Sequence, residues 1–309
     1  MSVVKEKNEQ SPRETKKLNY QECPCNVCQT KEVVEVPYCR EYTNDQPVHI
    51  CKNCGFVYAK FRRTAKEIAD SWSDDMYHKE EEFSDTHYTA RIPAVKARQT
   101  YMADTIDTQI GLKGKYLADI GAGEGQFLEI VSEQYQGKVF GIEPSVKNCQ
   151  IMDKSGFKNF EGSIEDYAAS AQCKTNEFDI VTAMWTLAAC FSATDMIQAA
   201  YKMLKPGGHL VIAEGSRILV PFKKPLNYYF SKEPQDLHPF HPSANALKNL
   251  FKICGFEITF INRYIDTDYL LVVGKKISGT TDASIEKDNY QEVSAFFERW
   301  HHETKMYYK

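Results

Sequence analysis

From Gly114 onward the chain alternates short apolar runs with stretches whose apolar residues recur at helical spacing. Lys115–Ile120 reads as a strand, followed by a glycine-bearing loop and a helix from Phe127 to Gln134. Further strands are predicted at Lys138–Glu143, Lys158–Phe160 and Phe178–Met184, with a helix over Val146–Lys154 after the first of these. A helix near Asp195–Leu204 leads through Lys205-Pro206-Gly207-Gly208 into a strand, His209–Glu214. After a Pro- and Tyr-rich insertion come a helix over Ala244–Cys254 and two closing strands, Glu257–Arg263 and Tyr269–Gly274. Strands separated by helices of this length call for an α/β fold built on a seven-stranded, mostly parallel sheet covered on both faces.

Upstream the pattern differs. Residues 1–19 form a polar leader, and 20–60 carry a cysteine cluster between strand-like stretches at Lys31–Val36 and Phe56–Ala59. Residues 61–110 read as a helical linker or lid, first through Ile68 and Trp72 and again from Ile92 to Ile110. The main domain is then 111–275. In 276–309, Ile285, Val293, Phe296, Phe297 and Trp300 fall at helical spacing, which predicts an amphipathic helix docking on the main domain.

A length of 309 residues allows about two domains, and 42% hydrophobic with 26% charged residues is a globular mixture. With 38 basic and 42 acidic residues the net charge is -4, so no global field draws the protein to nucleic acid or anionic lipid. No apolar run approaches the ~18–20 residues of a membrane span, and no export signal is visible. A cytoplasmic protein is expected. Of ten cysteines, six lie between Cys23 and Cys54, which favours metal over disulfides in such a chain.

Cys25-x2-Cys28 is followed after 22 residues by Cys51-x2-Cys54. Two tight turns that each aim a pair of thiolates at one point make a tetrahedral structural zinc site, with no open position for chemistry. Cys23 is an alternative to Cys25, and Cys39 and His49 are weaker spares.

Asp119-Ile120-Gly121-Ala122-Gly123-Glu124-Gly125 closes the first strand and opens a helix. Glycines there let the backbone approach a ligand at a helix N-terminus. Glu143, about 20 residues on, ends the second strand, where an acid takes the hydroxyls of a ribose. Together with the Lys-Pro-Gly-Gly turn, these residues resemble class I S-adenosylmethionine (SAM)-dependent methyltransferases, whose fold is Rossmann-like. The resemblance implies SAM as cofactor, held by Gly121, Gly123 and Glu143, with Asp119 supporting the loop. It places Ser163 and Ile164 at the adenine and Trp185 in the turn after the fourth strand. Many relatives have Asp where Ser163 stands and Glu-His where Ala188-Ala189 stand.

The N-terminal pattern, ending Cys51-x2-Cys54-Gly55-Phe56-Val57-Tyr58, resembles the zinc-binding sugar C-methyltransferases. This implies a small-molecule acceptor of sugar or nucleotide-sugar type. The further C-terminal domain usual in those enzymes is expected to be missing. Acid/base candidates are His238, the nearest match to those relatives' histidine, then His241, both in the insertion Tyr228–His241, where imidazole titrates near neutrality. Tyr77 is a candidate to close over the site, Trp72 and Tyr88 to pack the module, and Glu214 to contact substrate. A zinc-module methyltransferase acting on RNA or protein, or a cofactor-binding scaffold without turnover, are the rival readings. Nucleic-acid and membrane partners are not expected, and the oligomeric state stays open.

Overall fold

Short strands and the cysteine turns build the N-terminal module. β1 (Gln21–Glu22) pairs antiparallel with β5 (Phe61–Arg62), while β2 (Val33–Glu35), β3 (His49–Cys51) and β4 (Val57–Tyr58) form an antiparallel meander. This is a computed structural model, and it describes residues 19–72, 85–215, 217–222, 224–230, 238–263, 269–278 and 284–307. Tyr77, the charge run Lys79–Glu82, Asp236, the leader up to residue 18 and the side chain of Tyr88 lie outside the described residues.

After α1 (Cys39–Tyr42), a helix over 65–72 (α2) and the long α3 (Asp85–Ile110), the main domain follows. Its sheet contains β6 (Tyr116–Ile120), β7 (Lys138–Glu143), β8 (Asn159–Glu161), β9 (Phe178–Met184) and β10 (Leu204–Glu214). Past β11 (Phe240–His241), which belongs elsewhere, β12 (Phe256–Ile261) and β13 (Leu270–Lys276) complete it. The spatial order is β12-β13-β10-β9-β6-β7-β8. Only β13 runs against its neighbours. This is the Rossmann-like, seven-stranded, mostly parallel sheet expected.

Central strands are buried on both faces, so β9 reads as one apolar run with Phe178, Ile180, Val181 and Ala183 all inaccessible. Helices α4 (Gln126–Tyr135) and α5 (Val146–Lys154) cover one face with α3. The other face carries α6 (Ile164–Ala169), α7 (Ala193–Met203) and α9 (Ala244–Ile253). Chain order reverses on either side of β6, and in open α/β sheets ligands bind at the carboxyl ends of the strands at such a switch point.

The N-terminal module is fused to this core. Phe240 and His241 of β11 pair antiparallel with Tyr58 and Val57, making a four-stranded sheet β11-β4-β3-β2. Phe56 stacks on Phe240 at 5.8 Å, and Cys25, Cys51, Cys54 and Phe56 share a hydrophobic cluster with Leu187, Leu247 and Phe251. The insertion contributes one further short helix, α8 (Leu226–Tyr229).

The closing amphipathic helix forms, as α10 (Tyr290–Thr304). It docks on the insertion of the main domain and on the N-terminal module together. Val293, Phe296, Phe297 and Trp300 pack against Val36, Tyr42 and Ile50 of the module and Leu226 and Phe230 of the insertion. Both faces of the main sheet are already covered, so the apolar side of the small sheet is what the stripe buries. Ile285 stands outside that stripe and packs on the main core instead.

Candidate active site

The glycine loop follows β6 at the switch point. Gly121 has φ +73°, and a Cβ there would lie 2.4 Å from Thr186 Oγ1, so any side chain collides with the turn after β9. Gly123 is also left-handed, at φ +57°, but a Cβ there would meet nothing within 4 Å. Gly123 lines the cleft described below.

Glu143 is buried and organises the loop from the end of β7. Its Oε2 accepts the Gly123 N–H at 2.9 Å, and Oε1 accepts the Ser145 N–H at 3.0 Å and Asn148 Nδ2 at 3.3 Å. Burial raises its pKa, and the three hydrogen bonds oppose that rise. Asp119 lies beneath, fully buried, with Oδ1 accepting from Thr182 Oγ1 at 2.6 Å. Burial pushes its carboxyl up to about 7 against the pull of that bond, and the charge of Glu143 adds to the rise. Asp119 therefore acts inside the fold, tied to β9 through Thr182.

A cavity of about 270 Å³ opens here. Gly121, Gly123, Glu143, Asn148, Ser163, Ile164, Trp185 and Thr186 line its walls, and Ala65, Ile68, Ala69 and Trp72 of α2 also border it. It thus gathers all the sequence-predicted cofactor positions except Asp119. Acidic Glu143 and an apolar rim suit a ligand with a polyhydroxylated ring and an aromatic base.

Ser163 is committed to its own helix. It forms a reciprocal capping box with Asp166, whose N–H donates to Ser163 Oγ at 3.1 Å. Glu165, which borders the same cavity, has a buried Oε1 with no hydrogen-bond partner. Trp185 takes φ +59°, a conformation costly for a non-glycine residue, and its N–H donates to Ala213 O at 2.8 Å. The Arg98 guanidinium sits 3.9 Å from the Trp185 ring centre.

The insertion reaches the border of the same cavity. His238 meets the Trp72 ring edge-on at 4.9 Å, which puts it beside the border of the cavity. His241 is buried deeper, with Nδ1 3.2 Å from Tyr229 Oη. Glu214 is wholly buried, accepts the Ala188 N–H at 3.1 Å, and is pushed by burial up to about 8. Arg62 escaped the sequence reading. It is 1% exposed, lies between the Phe191 and Phe240 rings at 5.2 and 5.0 Å, and donates to the Phe191 carbonyl. Thus β5 braces the Cys190–Phe191 wall of the cavity. Its signal in sequence was faint, because an Arg beside aromatics ordinarily reads as surface.

The cysteine pairs converge. Cys25, Cys28, Cys51 and Cys54 place their sulfurs within 4.8 Å of one another, an arrangement able to hold a metal ion. Contacts of 3.5 Å for Cys25–Cys54 and Cys28–Cys51, and 3.6 Å for Cys28–Cys54, approach the ~3.8 Å edge of a tetrahedron with 2.3 Å zinc–sulfur bonds. Cys23 contacts Gln21 O, and Cys39 contacts Val48 O, both apart from the cluster, as is His49.

A family model described as a methyltransferase domain matches residues 95–260, more than half of the chain. The chain belongs to this methyltransferase family. Its matched region is a methyltransferase domain. This methyltransferase is 29% identical over 153 residues to the tRNA U34 carboxymethyltransferase of Desulfotalea psychrophila, covering 47% of this chain and 46% of that one. It is 26% identical over 189 residues to the demethylmenaquinone methyltransferase of Lactococcus lactis, covering 53% and 75%. The methyltransferase spans about half the length of the first curated relatives it matches. Among solved structures, the geranyl diphosphate C-methyltransferase of Streptomyces coelicolor aligns with a TM-score of 0.51 and 12% identity, over 69% of this chain and 98% of that one. That likeness concerns the fold. Among the described residues no helix is long and apolar enough to cross a membrane.

Proposed function

We propose that this methyltransferase acts on a small hydroxylated molecule, of the sugar or nucleotide-sugar kind, and that its four clustered cysteines hold structural zinc. The observation that carries the reading is the Trp72–His238 contact, which ties an acid/base-capable imidazole to the border of the cofactor cavity. A cavity bordered by α2 suits a compact acceptor better than an extended one.

When bound, the cofactor supplies an activated methyl group with its own leaving group. The protein's part is then positioning, exclusion of water and removal of a proton. The Glu143 carboxylate would hold the ribose hydroxyls, with the Gly121–Gly123 backbone alongside and Ser163 and Ile164 flanking the base. His238 would take the acceptor's proton, a contribution of about 10²–10⁴-fold. The cysteines make no open coordination position, so zinc in them would fix the module on which β11 and the insertion rest.

The test is methyl transfer from labelled SAM into cell extract separated into small-molecule, RNA and protein fractions. Label in the small-molecule fraction is expected, with His238→Ala reducing it by about 10²-fold while S-adenosylhomocysteine affinity is unchanged. Label confined to RNA would overturn the reading in favour of the second one. That second reading draws on the tRNA-modifying relative, and the net charge of -4 stands against it.

A further inference from the structure

His241 has one ring nitrogen bound and one left over. Nδ1 meets Tyr229 Oη, while Nε2 is buried with no hydrogen-bond partner. The ring is 2% exposed, with Phe230 edge-on at 5.3 Å, and β11 pairing fixes its backbone opposite Val57. Leaving a buried donor or acceptor unpaired costs about 1–3 kcal/mol. The residue also stands just behind the cavity wall. β11 packs on the turn over Leu187–Ala189, whose Ala189, with Cys190 after it, lines the cofactor cavity.

We infer that His241 Nε2 is a hydrogen-bonding point for an oxygen of the acceptor, with Tyr229 as the positioning residue that holds the ring and its tautomer through Nδ1. The inference rests on the small-molecule reading above and sharpens it. Burial, reinforced by His238 and Lys224, pushes the imidazole down to about 3, so it stays neutral at physiological pH. A neutral ring of that kind is a weak proton acceptor but a good hydrogen-bonding partner for a hydroxyl or carbonyl. The acceptor therefore presents an oxygen at this point, as a sugar does. Proton removal is left to His238.

Three variants test this: His241→Phe, His241→Gln and Tyr229→Phe. His241→Phe keeps an aromatic ring in the apolar pocket and removes the unpaired nitrogen. Its melting temperature should stay within a few degrees of the wild type, the lost Tyr229 contact offsetting the removed nitrogen, while methyl transfer into the small-molecule fraction falls at least tenfold and S-adenosylhomocysteine affinity holds within twofold. His241→Gln carries a side-chain nitrogen near the Nε2 position and should recover part of the lost transfer. In spectra of protein labelled with ¹⁵N-histidine, Tyr229→Phe should shift the His241 Nδ1 resonance, assigned by its loss in His241→Phe. If His241→Phe transfers as well as wild type, or if its loss only tracks a lowered melting temperature, the inference is overturned and the small-molecule reading stands. If the wild type itself labels no small molecule, that reading falls and takes this inference with it.

Discussion

Glu143 Oε2 and the backbone N–H of Gly123 lie 2.9 Å apart, so the acid at the end of β7 holds the loop at the end of β6 from across the sheet. The same carboxylate faces the cavity, and it is shared between fold and ligand. Glu143→Ala should weaken S-adenosylhomocysteine binding by about 1.5–3 kcal/mol, the range for hydrogen bonds to a charged group. Titration calorimetry checks it, and unchanged affinity would reject the ribose assignment.

Gly121 and Gly123 separate structural from ligand-facing roles. Gly121→Ala drives a Cβ to 2.4 Å from Thr186 Oγ1 at φ +73° and should destabilise the apo protein by about 1–3 kcal/mol. Gly123→Ala meets no neighbour, so its fold cost is the left-handed backbone alone, about 1–2 kcal/mol. Its methyl group should instead obstruct the cofactor. Denaturant midpoints and binding isotherms measured on both variants give the contrast, and equal binding losses would refute it.

Much of this geometry could be read in advance, for identifiable reasons. Strands buried on both faces announce themselves as continuous apolar runs, which is why Lys138–Glu143 and Phe178–Met184 match at both ends. The helix over Val146–Lys154 starts where Ser145 caps it and also matches. The strand Phe240–His241 could not be found, because two residues carry no periodicity and its partner lies some 180 positions upstream. The stripe on α10 points to the main domain, and the share of it that the N-terminal module covers carries no signal in the sequence. The Ser163-x2-Asp166 spacing is itself a legible capping signal. The left-handed Trp185 is imposed by its surroundings rather than by its own side chain.

One zinc per chain should accompany protein purified without added metal, measured by elemental analysis. Because the cysteine turns share a core with the main domain, Cys28→Ser should not simply melt a separate module. A single unfolding transition lowered by roughly 5–10 °C is expected. Two resolved transitions, the upper one unchanged, would show that the module is autonomous.

Glu214 gives a pH signature. Its folded-state pKa, about 8, exceeds that of an unfolded glutamate, so the native state binds the proton more tightly. Stability therefore falls as pH rises from the unfolded value near 4.3 to about 8. Glu214→Gln keeps an acceptor for the Ala188 N–H and removes the titration. Its melting temperature should equal that of wild type at or below about pH 4 and exceed it by at least a few degrees at pH 8.5. A difference constant with pH would contradict the buried carboxyl.

The pairing of β4 with β11 has a consequence for biogenesis. As the ribosome releases the cysteine segment, the strand that completes its sheet and the helix that covers it have not been made. Until residues 240–241 and α10 emerge, Phe56, Tyr58 and Ile50 lack their native cover. Contacts so distant in sequence form slowly and leave apolar surface open to aggregation meanwhile. Early capture of a metal ion by the two cysteine turns would pin this nascent segment in one shape through that wait. Metal supply during synthesis would then govern the yield of folded chain more than its activity afterwards.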